Sequence, residues 1–158
     1  MPVRLDRIDL AILRILQREG RVTNAALAQR VGLTASPCLQ RVRRLERAGI
    51  VTGYGARLDL ARIGESLTVF TEITLDRHGP GDFTRFERFV GALEAVVECH
   101  LVSGGYDYLL KVVTPNLNAY QATIERILTE CGGIAQYFST VTIRSPLENR
   151  PPPLPKTE

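Results

Sequence analysis

Residues 23–49, TNAALAQRVGLTASPCLQRVRRLERAG, decide the fold of the first third of this chain. Thr23 is a favourable N-cap, and the helix that follows it stops at Gly32, because glycine adopts positive φ without steric cost. A second helix follows, with Pro37 tolerated in its first turn and Gly49 at its end. Two short helices joined by a tight glycine turn predict a helix-turn-helix.

The second helix of this pair has an apolar face and a basic face when its residues are placed about 100° apart. Cys38, Val42 and Leu45 form the apolar stripe, and Glu46 is the single acid beside four arginines. Arginine bonds guanine bidentately or neutralises phosphates, and glutamine can read adenine. The sequence therefore predicts a recognition helix whose DNA contacts are Ser36, Gln40, Arg41, Arg43, Arg44 and Arg47.

The N-terminal half of a recognition helix usually reaches the base edges. We therefore expect base readout from Ser36 and Gln40, and mixed base and phosphate contacts from Arg43, Arg44 and Arg47. The alternative is an exposed, arginine-rich helix in a small bundle. One recognition helix makes too few contacts for tight binding, so a dimer with half-sites about 34 Å apart, or a multiple of that, is expected.

The charge distribution indicates the same partner. Residues 1–57 contain eleven Arg against four acids, a balance of +7, whereas residues 58–158 contain nine Lys and Arg against thirteen acids, a balance of −4. A basic module joined to an acidic one predicts a polyanionic ligand for the first module. Double-stranded DNA is such a ligand.

A further helix precedes the pair, with Asp6 as its predicted N-cap and Gly20 as its end. Residues 50–58 read as extended chain with two glycine hinges, suited to a wing beside DNA or to an interdomain link. The predicted organisation is a helix-turn-helix domain at residues 1–52, a linker strand at 53–64, a second domain at 65–146 and a loose, proline-rich tail at 147–158.

The second domain alternates between strand-like and helix-like patterns in the order βαββαβ. This order is the ferredoxin-like arrangement, in which two helices cover one face of an antiparallel sheet, so the fold class is α+β. The predicted strands are Leu67–Leu75, Val96–Ser103, Asp107–Val113 and Ala135–Ile143, with one helix capped by Asp82 and another that starts at Pro115–Asn116.

The other face of this sheet must meet water or another subunit. Phe70, Leu109 and Phe138 lie out of register with the core-facing positions, and Val102 is a further candidate for that face. An exposed apolar face of this kind predicts a homodimer across the sheets.

Composition excludes several other classes of protein. No apolar run reaches the roughly 18 residues of a membrane span, and the N-terminus lacks a secretory cleavage pattern. Cys38, Cys99 and Cys131 have neither metal-ligand nor disulfide spacing, so we expect reduced, buried thiols in a cytoplasmic, nucleoid-associated protein. No metal, no other cofactor and no membrane partner is predicted.

Three stretches of the sequence resemble the Lrp/AsnC family of regulators. They are residues 33–46, LTASPCLQRVRRLE, the pair Gly53–Tyr54, and residues 98–111, ECHLVSGGYDYLLK. The resemblance extends from about Leu5 to Ser145. It implies a winged helix-turn-helix joined to an amino-acid-sensing, ferredoxin-like domain of RAM or ACT type. It also implies dimers that assemble further, commonly into octamers.

The resemblance implies an effector bound between subunits, near the turn that joins the second and third strands. Glycine amides in that turn can cradle a carboxylate, and an aspartate can pair with an ammonium group. An ordinary hairpin turn capped by its aspartate explains the same residues without a ligand. The expected effector contacts are Gly104, Gly105, Tyr106, Asp107 and Tyr108, with Ser139 and Thr140 from a neighbouring subunit.

The sequence leaves alternatives for the identity of the effector and for the function. Gly105 stands where leucine-responsive members carry an acidic residue, so the effector is leucine, a similar small amino acid, or several. Siroheme decarboxylases share this layout and would need histidines such as His78 and His100, but the basic helix argues against an enzyme. An architectural DNA-binding protein without an effector would have the same parts.

Overall fold

The computed structural model describes residues 4–155, which form two compact units. Among the described residues, one unit comprises residues 4–58 together with 147–155, and the other is Asp59–Pro146. The first unit contains helices α1 (Arg7–Leu16), α2 (Asn24–Arg30) and α3 (Ala35–Arg47). The second contains a 3-10 turn at Leu60–Arg62, strands β1 (Leu67–Leu75), β2 (Val96–Leu101), β3 (Tyr108–Thr114) and β4 (Ile134–Val141), helices α4 (Pro80–Gly91) and α5 (Leu117–Arg126), and a π-helical turn at Ile127–Cys131.

Helix α1 begins as predicted and ends early. Asp6 is the N-cap: its carboxylate accepts the Asp9 N–H at 2.8 Å, and the Asp9 carboxylate accepts the Asp6 N–H at 3.0 Å. The expected end at Gly20 is wrong. The helix stops at Leu16 because the next turn tightens, with the N–H groups of two successive residues donating to the carbonyl of Ile15.

The turn and caps of the helix-turn-helix agree with the sequence. The Thr23 hydroxyl accepts the Ala26 N–H at 3.2 Å, and Asn24 donates its side-chain amide to the Ala35 carbonyl at 2.8 Å across the turn. Gly32 has φ 70°, in the left-handed region where a side chain would be strained. The three helices bury one apolar core, whose members include Leu10, Ile12, Leu27, Cys38, Val42 and Leu45.

The four strands form one antiparallel sheet in the order β2-β3-β1-β4, the ferredoxin-like topology that the sequence predicts. Alternate residues of β1 and β3 point to the helix-covered face, where Val69, Ile73 and Leu110 are buried. Helices α4 and α5 supply Phe86 and Ile124 to the same core. On the opposite face, the register places Phe70, Leu109 and Phe138 together as expected.

Local boundaries in this unit differ from the sequence-based ones. Helix α4 starts at Pro80 with Gly79 as N-cap, and Asp82 accepts the Gly79 N–H from inside the first turn instead of preceding the helix. Strand β2 ends at Leu101, because Val102 turns to donate its N–H to the Asp107 carbonyl and closes the hairpin loop. The cysteine expectation is wrong for Cys99, which is exposed because β2 is an edge strand.

The proline-rich tail is ordered against the first unit, contrary to the expectation of a loose segment. Leu154 is half-buried and packs on the helical core, where it lines a groove of about 230 Å³ together with Leu13, Leu16 and Val51, among others. The Gln17 amide donates to the Pro152 carbonyl at 3.4 Å. Proline restricts the unbound tail, so less conformational entropy is lost when the leucine docks. Within residues 4–155, no helix has the length and apolar character to cross a membrane.

Leu154→Ala should destabilise the helical unit, because it removes apolar contact from its core. For a half-buried leucine the loss is about 1 kcal/mol, which lowers the Tm by roughly 5 °C in a unit of this size. Thermal melts and hydrogen exchange at α1 measure the effect. Leu147→Ala is the matched control, because the Leu147 side chain is 66% exposed. Equal α1 protection in both variants would contradict the packing of the tail.

Candidate nucleic-acid interface and effector site

The exposed face of α3 carries four of the predicted DNA contacts. Ser36, Gln40, Arg43 and Arg47 are exposed, on the side of α3 away from the buried Cys38–Val42–Leu45 stripe. The Arg47 Nε donates to the Arg43 carbonyl at 3.2 Å, which leaves the remaining guanidinium donors directed outward. Among the ion pairs of the described residues, none involves either arginine.

The other two predicted arginine contacts are tied to α1. Arg41 donates from one Nη1 to Asp6 Oδ2 at 2.6 Å and to Asp9 Oδ1 at 2.9 Å, and its side chain is 29% exposed. Arg44 donates to the other oxygen of Asp9. Arg41 is therefore a structural ion-pair partner, whereas Arg44, whose side chain is half-exposed, keeps an edge toward solvent.

Asp9 is the buried centre of this network. Its side chain is fully inaccessible, and its two oxygens accept two guanidinium groups and the Asp6 N–H. A buried carboxylate is costly unless its lone pairs are bonded, and here each oxygen has at least one charged donor. Sequence reasoning missed this role. The signal was present, since Asp6 and Asp9 are the only acids of the first eighteen residues and lie at the N-cap and in the first turn of α1.

The carboxyl group of Asp6 is acidified by the same network. The Asp9 N–H and then the Arg41 guanidinium hold the pKa of Asp6 at about 2. Both interactions favour the charged form of the carboxyl group, because each donor bonds the carboxylate.

The segment after α3 is anchored to that helix. The Tyr54 hydroxyl donates to Glu46 Oε1 at 2.9 Å, and burial together with the Glu46 carboxylate raises the pKa of Tyr54 to about 12. The phenol therefore stays a neutral donor at physiological pH. This bond positions the start of the predicted wing beside the C-terminal end of α3.

The predicted effector turn is an exposed loop between β2 and β3. Its ends meet where the Val102 N–H donates to the Asp107 carbonyl at 2.8 Å. Gly104 has φ 153° and is exposed together with Gly105, whereas Tyr106 is half-buried. Among the described residues, no atom beyond the chain neighbours lies within 4 Å of the position that a Cβ would take on either glycine, so the loop backbone is open to approach there.

Asp107 secures this loop to the end of β1. Its carboxylate accepts the Leu75 N–H at 2.7 Å and lies 3.0 Å from His78 Nε2. These bonds reach Leu75 of β1 and His78, so Asp107 does not cap its own turn as the alternative without a ligand predicts. An ammonium group of a ligand would have to share the carboxylate with the Leu75 N–H and the His78 ring.

The prediction that Tyr108 contacts the effector is wrong, because the residue is buried. The side chain is 1% exposed, its ring lies 4.5 Å from that of Phe86, and its hydroxyl donates to Glu87 at 2.8 Å. It belongs to the core because it occupies the first inward-facing position of β3.

Ser139 and Thr140 lie on β4, two strands away from the loop, which at about 4.8 Å per strand is about 10 Å across the sheet. Within one subunit the fold does not bring them to the glycines. They also point to opposite faces. The Ser139 hydroxyl bonds the hydroxyl of Tyr120 on the helix side, and Thr140 pairs with Phe70 on the open side.

Comparison with known proteins identifies the family to which this architecture belongs. The Lrp/AsnC ligand binding domain matches residues 68–152, and a winged helix-turn-helix DNA-binding domain matches residues 5–52. The leucine-responsive regulatory proteins of Escherichia coli and Salmonella typhimurium are each 49% identical over 130 residues, which is 82% of this chain and 79% of theirs. The chain belongs to the Lrp/AsnC family of DNA-binding transcription regulators.

Solved structures agree with this assignment. An AsnC family transcriptional regulator from Agrobacterium tumefaciens has TM-score 0.86 and 34% identity, covering 96% of this chain and 97% of that one. A transcriptional regulator from Neisseria meningitidis, in complex with L-Met, has TM-score 0.86 and 31% identity over 95% and 97%. These relatives are named as regulators, so the decarboxylase alternative loses its support.

Asp6→Asn should lower the stability of the folded protein at neutral pH, and the difference from the wild type should disappear in acid. Asparagine keeps the N-cap but removes the charge that Arg41 binds. Folding lowers the pKa of Asp6 from 3.8 to about 2, so the stabilisation is complete above the unfolded value and is lost as pH falls through the folded one.

Thermal melts between pH 7 and pH 2 test this, with Asp59→Asn as the control for an exposed acid outside the network. The wild-type and Asp6→Asn melting temperatures should converge between about pH 4 and pH 2. A constant difference across that window would contradict the role given to the Asp6 charge.

Proposed function

We propose that this protein binds specific sites in double-stranded DNA through α3 and that a small amino acid bound between subunits controls the binding. The observation that carries the first half is the division of the α3 arginines. Arg43 and Arg47 face outward, while Arg41 and Arg44 fasten α3 to α1 through Asp9. A surface helix without a binding partner does not require both an ionic anchor to α1 and a basic face on one side.

The contacts follow from position on the helix. Ser36 and Gln40 are in the N-terminal half and meet base edges, and Gln40 is suited to adenine. Arg43 and Arg47 bond phosphates or guanine, with Arg44 adding its free edge from a fixed position. Arg41 acts through the orientation of α3 instead of contacting DNA.

The exposed glycine loop supports an amino-acid effector. The amides of Gly104 and Gly105 are open to a carboxylate, with Tyr106 beside them. The Neisseria relative was solved with L-Met, and the enterobacterial relatives are leucine-responsive regulatory proteins, so leucine or a similar apolar amino acid is the proposed class. Thr140, on the open face of β4 and across the sheet from the loop, would come from a neighbouring subunit, whereas Ser139 points to the helix side and bonds Tyr120.

The open sheet face supports the assembly that such a shared site needs. Phe70 is 36% and Phe138 59% exposed on one face, an apolar surface that a second copy covers in the proposed dimer. We propose further association, up to an octamer, with the effector favouring one arrangement of subunits and thereby respacing the recognition helices. Light scattering with and without the effector tests the change in assembly, and identical mass and shape would count against it.

Arg43→Ala/Arg47→Ala should weaken binding to a duplex selected from a random pool with the full-length protein. Each lost phosphate contact lowers the slope of log affinity against log salt by about one. Arg41→Ala should leave that slope unchanged, because its guanidinium bonds Asp6 and Asp9. Arg62→Ala, 86% exposed outside the first unit, is the control that retains full binding. Unimpaired binding by the double variant would refute the assigned face.

A thermal-shift screen against the twenty amino acids tests the effector. A ligand at about 100 times its Kd stabilises the protein by about 2.7 kcal/mol, a shift of several degrees. Gly104→Ala should abolish the shift, because a side chain at φ 153° strains the loop, whereas Gly91→Ala places its Cβ in open space and should keep it. If no amino acid stabilises the protein, the sensing proposal fails, and the alternative of an architectural DNA-binding protein gains support.

A further inference from the structure

One apolar side chain of α3 is exposed at the edge of the proposed DNA-binding face. Leu39 is 37% exposed, although the leucine six residues later, Leu45, is fully buried. At about 100° per residue, Leu39 lies at the border of the two faces of α3, about 60° from the buried Val42 on one side, and 40° from Arg43 and 60° from Ser36 on the other. It lies in the N-terminal half of the helix, which is the half that approaches base edges.

The direction of this side chain is fixed by the rest of the helix. Cys38 and Leu45 are fully buried on one side, and Arg44 is bonded to Asp9 on the flank opposite Leu39. Helix α3 therefore cannot rotate to bury Leu39 without exposing its core stripe and breaking the Asp9 bonds. Single exposed leucines are common on protein surfaces, but the others in the described residues, such as Leu60, lie outside α3.

Only one chemical group in the major groove suits a leucine side chain. Base edges there present hydrogen-bond donors and acceptors, which lose their water bonds without replacement when a leucine covers them. The 5-methyl group of thymine is the exception, since apolar contact removes both surfaces from water. A leucine flanked by Ser36 and Arg43 therefore combines one apolar contact with polar contacts on either side.

We infer that Leu39 is a specificity-determining residue that reads a thymine through its 5-methyl group. The inference rests on the proposed DNA binding by α3 and extends it. It commits one base in each half-site to thymine and assigns the discrimination to a side chain without hydrogen-bonding capacity. Cytosine in that place lacks the methyl group and presents an amino donor that leucine leaves unbonded.

Deoxyuridine substitution isolates this contact, because uracil pairs as thymine does and lacks only the methyl group. In the duplex selected from a random pool with the full-length protein, each thymine is replaced singly and the Kd is measured. One thymine per half-site should show a loss of about fourfold on replacement, the effect of one buried methyl group. The other thymines should show none.

The same duplexes with Leu39→Ala complete the test. The variant should bind the thymine duplex about fourfold more weakly than the wild type does and should not distinguish uracil from thymine. Leu39→Met, which keeps an apolar side chain, should retain most of the discrimination, and the control Leu60→Ala should retain all of it.

Two failures are distinguishable. If the wild type binds every uracil-substituted duplex as tightly as the parent, or if Leu39→Ala still discriminates uracil from thymine, the inference about Leu39 is overturned while DNA binding stands. If no duplex is enriched from the pool, the proposed function itself fails.

Discussion

The carboxylate of Asp9 sets the geometry of the DNA-binding unit. It is fully buried between α1 and α3 and bonds Arg41, Arg44 and the N–H of Asp6. A buried ion pair adds little net stability over an apolar pair of the same size, but a single unpaired charge there is strongly destabilising. Any shift or rotation of α3 relative to α1 would leave the Asp9 carboxylate buried without its charged partners. The network thus selects one orientation of the recognition helix, and the outward direction of Ser36, Gln40 and Arg43 follows from it.

The second unit has a packed core on one face of its sheet and an exposed apolar surface on the other. Under the helices, Thr71 and Tyr120 share a hydrogen bond of 2.8 Å, and Tyr120 also bonds Ser139, so the polar groups near that core are satisfied. On the other face, Phe70 and Phe138 remain exposed. The loop glycines and β4 lie at separate places on one subunit, so a site that uses both requires two copies. Ligand binding and assembly are coupled in the proposed mechanism for this structural reason.

Sequence reasoning did well where the signal is local. The N-caps Asp6 and Thr23 and the turn at Gly32 were predicted correctly, because each depends on groups within about four residues. The alternation of β1 likewise gave the buried and open faces of the sheet. It did less well where a residue's partner is remote. The place of Tyr108 after the glycine loop predicts a ligand contact, yet Phe86 of α4 packs against its ring and the residue is buried.

Local sequence patterns are therefore enough to predict the order of helices and strands, the basic and apolar faces of α3 and the position of the glycine loop. The pairing of the arginines emerges only from the folded chain, since Arg44 and Asp9 are 35 residues apart. The same holds for the bond from Asp107 to β1, 32 residues away, and for the packing of Leu154 on the helical core. Periodicity and capping are encoded in neighbouring residues, whereas the pairing of a charge and the burial of a side chain depend on how distant segments meet.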